Sequence, residues 1–344
     1  MSRSSALLLL LAVLLLATAV VSLGLGAVRI PVPRVIAALG NGGGDVSGGA
    51  AGSEGEALDR TIVRELRLPR LLLAILVGAG LGGSGAAYQG LFRNPLADPF
   101  VIGASSGAAL GAVFAILAGG NQARAGFQLL PVSAFLGALA AVALVYALGG
   151  LGARSSPTTL LLAGAAVSTV LGAAVSLLMI LKDQSLPVIF GWLLGGLSDG
   201  SWRELRSGAG PILFGLLCIR LLARPLDALS LGDETARSLG LSVGSRLAII
   251  GAATLTTAAG VSVAGVIGFV GLMAPHGARW LLGPQHSRLI PGSCLLGALL
   301  LLAADDLART VAIPREIPVS IVTSLLGGPF FLYLLRSRHL GEGP

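Results

Sequence analysis

Long uncharged apolar runs, parted by short polar clusters, take up most of this sequence. They fall at 4–28, 71–92, 99–123, 125–153, 155–181, 247–278, 289–304 and 317–335, with shorter ones at 184–198 and 207–219. A helix needs roughly 20 residues to cross a hydrocarbon core of about 30 Å, so most of these runs are long enough to span a membrane. The 247–278 run is too long for one straight helix and carries Pro275-His276 near its end. It reads as one span followed by a broken second one. The 184–198 run is short and fits a half-helix or re-entrant piece. The 207–219 run reaches span length if Arg206 and Arg220 snorkel at its ends. The pattern predicts an all-α polytopic membrane protein of ten spans, a single domain over 1–344, with both termini on one side.

The polar segments divide further. Ala17-Thr18-Ala19 resembles a signal-peptide cleavage site, but the apolar stretch continues to Val28, a full span, and reads as a retained first helix. Residues 41–56 are glycine-rich and read as a flexible loop. Charge gathers at 59–70, predicting a short surface helix that leads into the second span. In 223–246, Asp233, Glu234 and Arg237 have helical spacing, and Gly240 is placed to end that helix.

The stretch from Arg67 to Gly111 organises the chain. It holds two glycine-studded runs joined by FRNPLADP at 92–99, whose prolines cannot continue a helix. Small residues recur every fourth place at Gly78, Gly82, Ala86 and Gly90, then at Gly103, Gly107 and Gly111. That spacing makes a flat face on which another membrane helix sits close.

Composition sharpens the class. The chain is 54% hydrophobic and 11% charged, against about 25% charged for soluble domains. The net charge of +7 is spread over loops and helix ends without a basic tract, which argues against nucleic-acid binding. Of the 23 basic residues, Lys182 is the one lysine, and it lies between Leu181 and Asp183. A phosphate-binding loop needs Gly-Lys-Ser/Thr, so the chain is not expected to hydrolyse ATP. With the termini inside, eleven basic positions fall inside and twelve outside; the positive-inside rule does not choose an orientation. The arginines clustered on the outer side suggest a docking surface instead.

No constellation supports catalysis. His276, His286 and His339 are scattered, without metal-ligand spacing. His276 is either a ligand or gate residue or the maker of a helix-end hydrogen bond. Cys218 and Cys294 lie in apolar runs and read as packing residues. Asp305-Asp306 with Arg309 ends an apolar run, where carboxylates are costly unless paired, which makes the cluster a functional candidate; a helix-end ion pair between Asp305 and Arg309 is an equal reading. Spans nearly bare of charge favour an importer subunit energised from outside the chain over a self-sufficient secondary transporter or channel, which usually needs ionisable residues mid-span.

The sequence resembles the FecCD-type permeases, membrane subunits of ABC importers for ferric siderophores, haem and cobalamin. The resemblance rests on RLPR at 67–70, SGAAYQGLFRNPLADP at 84–99, GWLLGG at 191–196, LGDETARSLGL at 231–241, GFVGLMAPHGAR at 268–279, ADDLAR at 304–309 and EIPVSIVTSLLGGPFF at 316–331. It implies ten helices per subunit in the type II ABC importer fold, and a homodimer in the bacterial cytoplasmic membrane with both termini cytoplasmic. The partners it implies are two cytoplasmic ATPases holding ATP and Mg, and an extracytoplasmic substrate-binding protein. No cofactor or metal is expected on this chain. The resemblance also implies roles: Arg67, Arg70 and Arg309 for binding-protein docking, and the 226–243 segment with Asp233, Glu234, Arg237 and Gly240 for ATPase coupling. Ser156, Thr158 and Thr159 match the segment lining an inner gate, although Pro157 interrupts the hydroxyls.

Overall fold

The computed structural model describes residues 3–26, 28–40, 52–119, 129–149, 157–182 and 185–339. The helices, in chain order, are α1 (Arg3–Gly24), α2 (Val32–Gly40), α3 (Gly52–Thr61), a π-helical turn (Ile62–Arg67), α4 (Leu68–Phe92), α5 (Ala104–Leu117) and α6 (Leu129–Gly149). They continue with α7 (Pro157–Leu181), α8 (Leu186–Leu193), α9 (Trp202–Leu221), α10 (Ala223–Ser230), α11 (Asp233–Ser238), α12 (Val243–Ala264), α13 (Val270–Leu282), α14 (His286–Thr310) and α15 (Val319–His339). No strand occurs among the described residues.

Among the described residues, six continuous helical stretches are long and apolar enough to cross a membrane: Arg3–Gly24, Gly55–Phe92, Leu129–Gly149, Thr158–Leu181, Val243–Ala264 and His286–Thr310. Ala104–Leu117 and Val319–Leu334 are shorter apolar helices. α9 has span length but crowds Arg203, Glu204 and Arg206 into its first turns, and α13 is a 13-residue half-helix. These ten helices fall on the ten expected segments, six of them long and apolar enough to span, with α8 as the short extra piece. The glycine-rich loop expected at 41–56 ends earlier than its composition implied, because α3 already begins at Gly52. Its first eleven residues lie outside the described ones.

α4 is the central helix. The apolar window of its continuous helix is 83% buried, against 17% for that of α7. Its glycines serve three faces. A methyl on Gly78 or Gly82 would run into the backbone of Gly297 or Ser293 on α14, and one on Gly85 into Gly271 on α13. Gly80 and Gly83 face Ile212 and Leu216 on α9. On α5, Gly107 and Gly111 meet the backbone of Gly137 and Ser133 on α6. The fourfold spacing therefore marks backbone-to-backbone packing, as expected. Gly103 departs from it: it precedes α5 at φ +86°, and its reason for being glycine is that left-handed conformation. Gly90 departs too, since it faces the ring of His286 rather than helix backbone.

α4 and α14 run antiparallel and define two ends of the bundle. At one, Arg70 meets Asp305; at the other, Gly90 meets His286. The second end also holds the turn after α4, α10, and the start of α1, where Arg288 Nη1 donates to Ser4 Oγ at 3.0 Å. α15 starts at the arginine end, where Ser320 bonds the Leu194 carbonyl, and runs toward the other. Both chain ends therefore share the end that carries α10.

The 247–278 run breaks as its length demanded. α12 ends at Gly265 (φ +67°), and α13 starts after Phe269, also left-handed at φ +67°. The first turn of α13 packs beside Gly85, well along α4 from Leu68, so residues 265–269 are non-helical chain inside the bundle. Such backbone is tolerated at membrane depth when protein covers it. The loop after α8 supplies cover: Gly196 N–H donates to Ala264 O at 2.9 Å, and Gly195 and Gly265 interlock with Val266 and Trp192.

The glycine contacts predict a sharp contrast. Gly82→Ala should destabilise the detergent-solubilised protein by roughly 1–3 kcal/mol through overpacking. Gly251→Ala on α12, with open space beside it, should be neutral or stabilising by up to about 1 kcal/mol through helix propensity. Thermal unfolding of both variants checks this; equal shifts would refute the packing role of Gly82.

Candidate functional site

The arginine end is built where a long helix changes pitch. The π-helical turn Ile62–Arg67 sits between α3 and α4 without a break in helical backbone. Such turns admit one extra residue and recur at functional sites. Pro69 follows closely on this turn, whose wider ring gives room to a residue that has no amide and would clash with the preceding turn of a regular helix.

Arg67 turns inward. Its Nη1 donates to Leu23 O at 2.7 Å and its Nη2 to Val28 O, so it staples the end of α1 and the following loop to α4. Arg70 makes a fork: Nε and Nη2 donate to Asp305 at 3.1 and 2.8 Å, and Nη1 donates to Glu316 at 2.9 Å. Arg309 lies 3.3 Å from Asp305 through Nε and pairs with Asp306 through Nη2. It also donates to Leu25 O at 3.1 Å and to Ser22 Oγ at 2.8 Å. Ser22 Oγ in turn donates to Asp306 at 2.7 Å.

Two guanidiniums, Arg70 and Arg309, thus meet three carboxylates across α4, α14 and the α14–α15 loop, and Arg67 beside them ties in α1 through carbonyls. Asp305 is 1% exposed and Arg67 and Arg309 are each 8% exposed. Buried charges persist when their hydrogen bonds are met: Asp305, Asp306 and Arg309 face opposite charges, and Arg67 spends its donors on carbonyls. The helix-end pair of Asp305 with Arg309 is present, within a larger cluster than an i,i+4 pair. Sequence reasoning missed Ser22 and Glu316. Ser22 was a polar residue near the end of an apolar run and Glu316 a carboxylate before Ile-Pro, but neither carries a local spacing signal. A cavity of about 470 Å³ opens beside the cluster, lined by Glu65, Arg67, Arg70, Asp199, Arg309 and Glu316 among others.

At the opposite end, the expected coupling segment forms two helices. α10 buries Ala223, Leu226 and Leu229 in the core, while Glu234 on α11 is exposed. The side chains of Asp233 and Arg237 lie outside the described residues. Gly240 ends α11 as its sequence position required: it stands at φ +80°, and Leu241 N–H reaches back to Ala236 O at 3.0 Å, a Schellman-type stop. A side chain there would meet open space.

Of the gate candidates, Ser156 lies outside the described residues, and Thr158 and Thr159 are exposed in the first turn of α7. Pro157 opens that helix. His276 is buried with its ring edge-on to Trp280 at 4.8 Å and to Phe330 at 5.8 Å, an aromatic contact between α13 and α15.

With this geometry in hand, the comparisons with known proteins are direct. The profile of the FecCD transport family matches residues 14–337. The chain belongs to the FecCD transport family. Among its FecCD relatives, the cobalamin import system permease protein BtuC of Halobacterium salinarum is 43% identical over 282 residues, 82% of this chain and 75% of the relative. The hemin transport system permease protein HmuU of Yersinia pestis is 43% identical over 289 residues, 81% of this chain and 84% of the relative. A solved structure described as an inward-facing metal-chelate type ABC transporter superposes with a TM-score of 0.80 at 34% identity, covering 97% of this FecCD chain and 99% of the other.

The ion cluster gives a stability prediction. Arg70→Ala leaves Asp305 buried beside one fewer guanidinium and should cost about 3–5 kcal/mol. Pairing Arg70→Met with Asp305→Asn should recover most of that loss in a detergent unfolding assay. A double variant no better than Arg70→Ala would show that the pair is not what the site depends on.

Proposed function

We propose that this FecCD permease works as a homodimer that moves an iron-siderophore, haem or cobalamin-type chelate into the cytoplasm, driven by two separate ATPases and fed by an extracytoplasmic binding protein. The observation that carries the reading is the placement of the two candidate contact regions at opposite ends of the α4–α14 pair. The arginine cluster and its cavity stand at one end, and α10, α11 and Gly240 at the other. A transport subunit that receives substrate outside and takes force from inside needs its two contacts so separated.

In this reading the arginine end faces outward, and the end bearing α10, α11 and both termini faces the cytoplasm. Binding-protein docking falls to the arginine end. Arg67 and Arg309 already spend their donors inside the chain, so they hold the shape of the surface. Arg70 lines the cavity and shares one donor with Glu316, whose side chain is 43% exposed. An acidic side chain on the partner would compete with Glu316 for that donor. Coupling falls to α11 and Gly240, and Ser156, Thr158 and Thr159 stand as gate residues at the start of α7. The close glycine packing of α4 against α14 would let that pair move as one body.

Three measurements test the reading. In proteoliposomes holding the permease with its ATPases, chelate uptake should require both ATP and the binding protein; uptake without either would exclude the importer. Arg70→Lys keeps the charge and loses the planar fork, so binding-protein affinity should fall about tenfold, the value of one charge-assisted hydrogen bond. Unchanged affinity would remove Arg70 from the docking surface. In the same vesicles, Gly240→Val forces a branched side chain into φ +80°, a strain of about 1–3 kcal/mol. ATP hydrolysis should then continue while uptake drops, and normal uptake would count against the coupling role.

A further inference from the structure

Three elements meet at one side chain at the end opposite the arginines. His286 opens α14 and is 2% exposed. Its backbone N–H donates to Asp227 Oδ1 at 2.8 Å, and its Nδ1 lies 2.7 Å from the same oxygen. Asp227 belongs to α10, the helix just ahead of α11. A carboxylate from one element therefore caps the N-terminus of another, where the helix dipole favours negative charge. On its far side the imidazole presses on α4: a methyl at Gly90 would overlap Nε2. That nitrogen is buried and has no hydrogen-bond partner among the described residues. The residue is thus held by two bonds on the α10 side, one from its backbone and one at its ring, and the ring abuts bare backbone on the α4 side.

The rest of the α10 contact is apolar. Ala223, Leu226 and Leu229 share a cluster with Leu91 and Phe92 of α4 and with Leu289 and Ile290 of α14. Apolar contact is non-directional and lets a short helix slide or roll. The bonds from Asp227 fix where α10 sits along the axis of α14, and the ring filling the space over Gly90 removes slack toward α4.

We propose that Asp227 and His286 form a positioning clamp that passes movement of the α10–α11 segment to the α4–α14 pair. The inference rests on the coupling role given above to α11. Asp227 pulls or pushes the first turn of α14 through its carboxylate, and the imidazole transmits the same displacement to α4 by contact at Gly90. Because α4 and α14 are joined again at Arg70 and Asp305, the displacement reaches the arginine end without loss to side-chain motion.

The test uses the complete importer, permease with ATPases and binding protein, in proteoliposomes, and reads substrate transported per ATP hydrolysed. Asp227→Ala and His286→Ala should keep ATPase binding and hydrolysis while the ratio falls about tenfold, within the usual range for coupling between sites. His286→Asn keeps a donor near Nδ1 but leaves the space over Gly90 unfilled, so its ratio should fall between wild type and His286→Ala. Gly90→Ala should lower the ratio by displacing the ring, and Gly90→Ala with His286→Asn should restore it, which also separates coupling from a folding defect. A wild-type ratio in both alanine variants would overturn the clamp, as would His286→Asn behaving like His286→Ala. A cysteine at position 234 (Glu234→Cys) should crosslink to the ATPase in the unmodified complex. Absence of that crosslink would overturn the coupling role of α11 itself, and the clamp with it.

Discussion

Close approach of backbones at α4 is the constraint on which the rest of this structure depends. In a lipid environment apolar side chains gain little by leaving hydrocarbon for protein, so helices must be held by contact and hydrogen bonds. α4 meets that need with glycines on three sides. Gly78 and Gly82 admit α14, Gly85 admits the start of α13, and Gly80 and Gly83 admit side chains of α9. A helix that takes neighbours on so many faces cannot be lined by large residues. The half-helix α13 follows from the same geometry: its first turn is pressed against Gly85, and the non-helical chain before it is covered by the loop after α8.

Charge enters only where this packing ends. The arginine cluster closes the end of the bundle where α1, α4 and α14 stop, and joins all three through side chains rather than apolar contact. Its members are interdependent. Arg70 serves both Asp305 and Glu316, Arg309 serves Asp305, Asp306 and the end of α1, and Arg67 serves backbone carbonyls alone. Losing one guanidinium leaves a buried carboxylate with too few donors, and such a group is expensive in low dielectric. That is why docking through this surface, if it uses Arg70, works through the donor shared with half-exposed Glu316 and leaves the Asp305 bonds intact.

Much of the fold was legible because the signals are local. Span lengths follow from hydropathy, the break before α13 from a run too long for one helix, and the stop at Gly240 from a helix that needs a left-handed residue. The glycine spacing revealed which helices approach closely, but it misassigned Gly103, a backbone-conformation glycine, and Gly90, a side-chain-packing one. Both sit in register with the packing glycines, so spacing alone could not separate them. What stayed hidden was long-range pairing. Ser22 and Asp306 are 284 residues apart and Asp227 and His286 are 59 apart, and nothing in either neighbourhood names its partner. The even split of basic residues has a related cause: Arg67 and Arg309 are committed to structure, so their position does not report on membrane charge asymmetry.

The two polar junctions of α4 and α14 give the pair a defined mechanical character. At one end Arg70 and Asp305 fix the two helices against sliding, with Glu316 and Arg309 completing the network. At the other, His286 fills the gap between α14 and Gly90 while Asp227 ties the helix end to α10. Between them lie backbone contacts at Gly78 and Gly82, which leave no room for side chains to rearrange. Interior packing of this kind moves as a unit because it has few alternative arrangements of similar energy. A displacement of α10 therefore has no local outlet at its contact with α14. It either breaks two hydrogen bonds to Asp227 or carries both helices with it, and the second course keeps those bonds made.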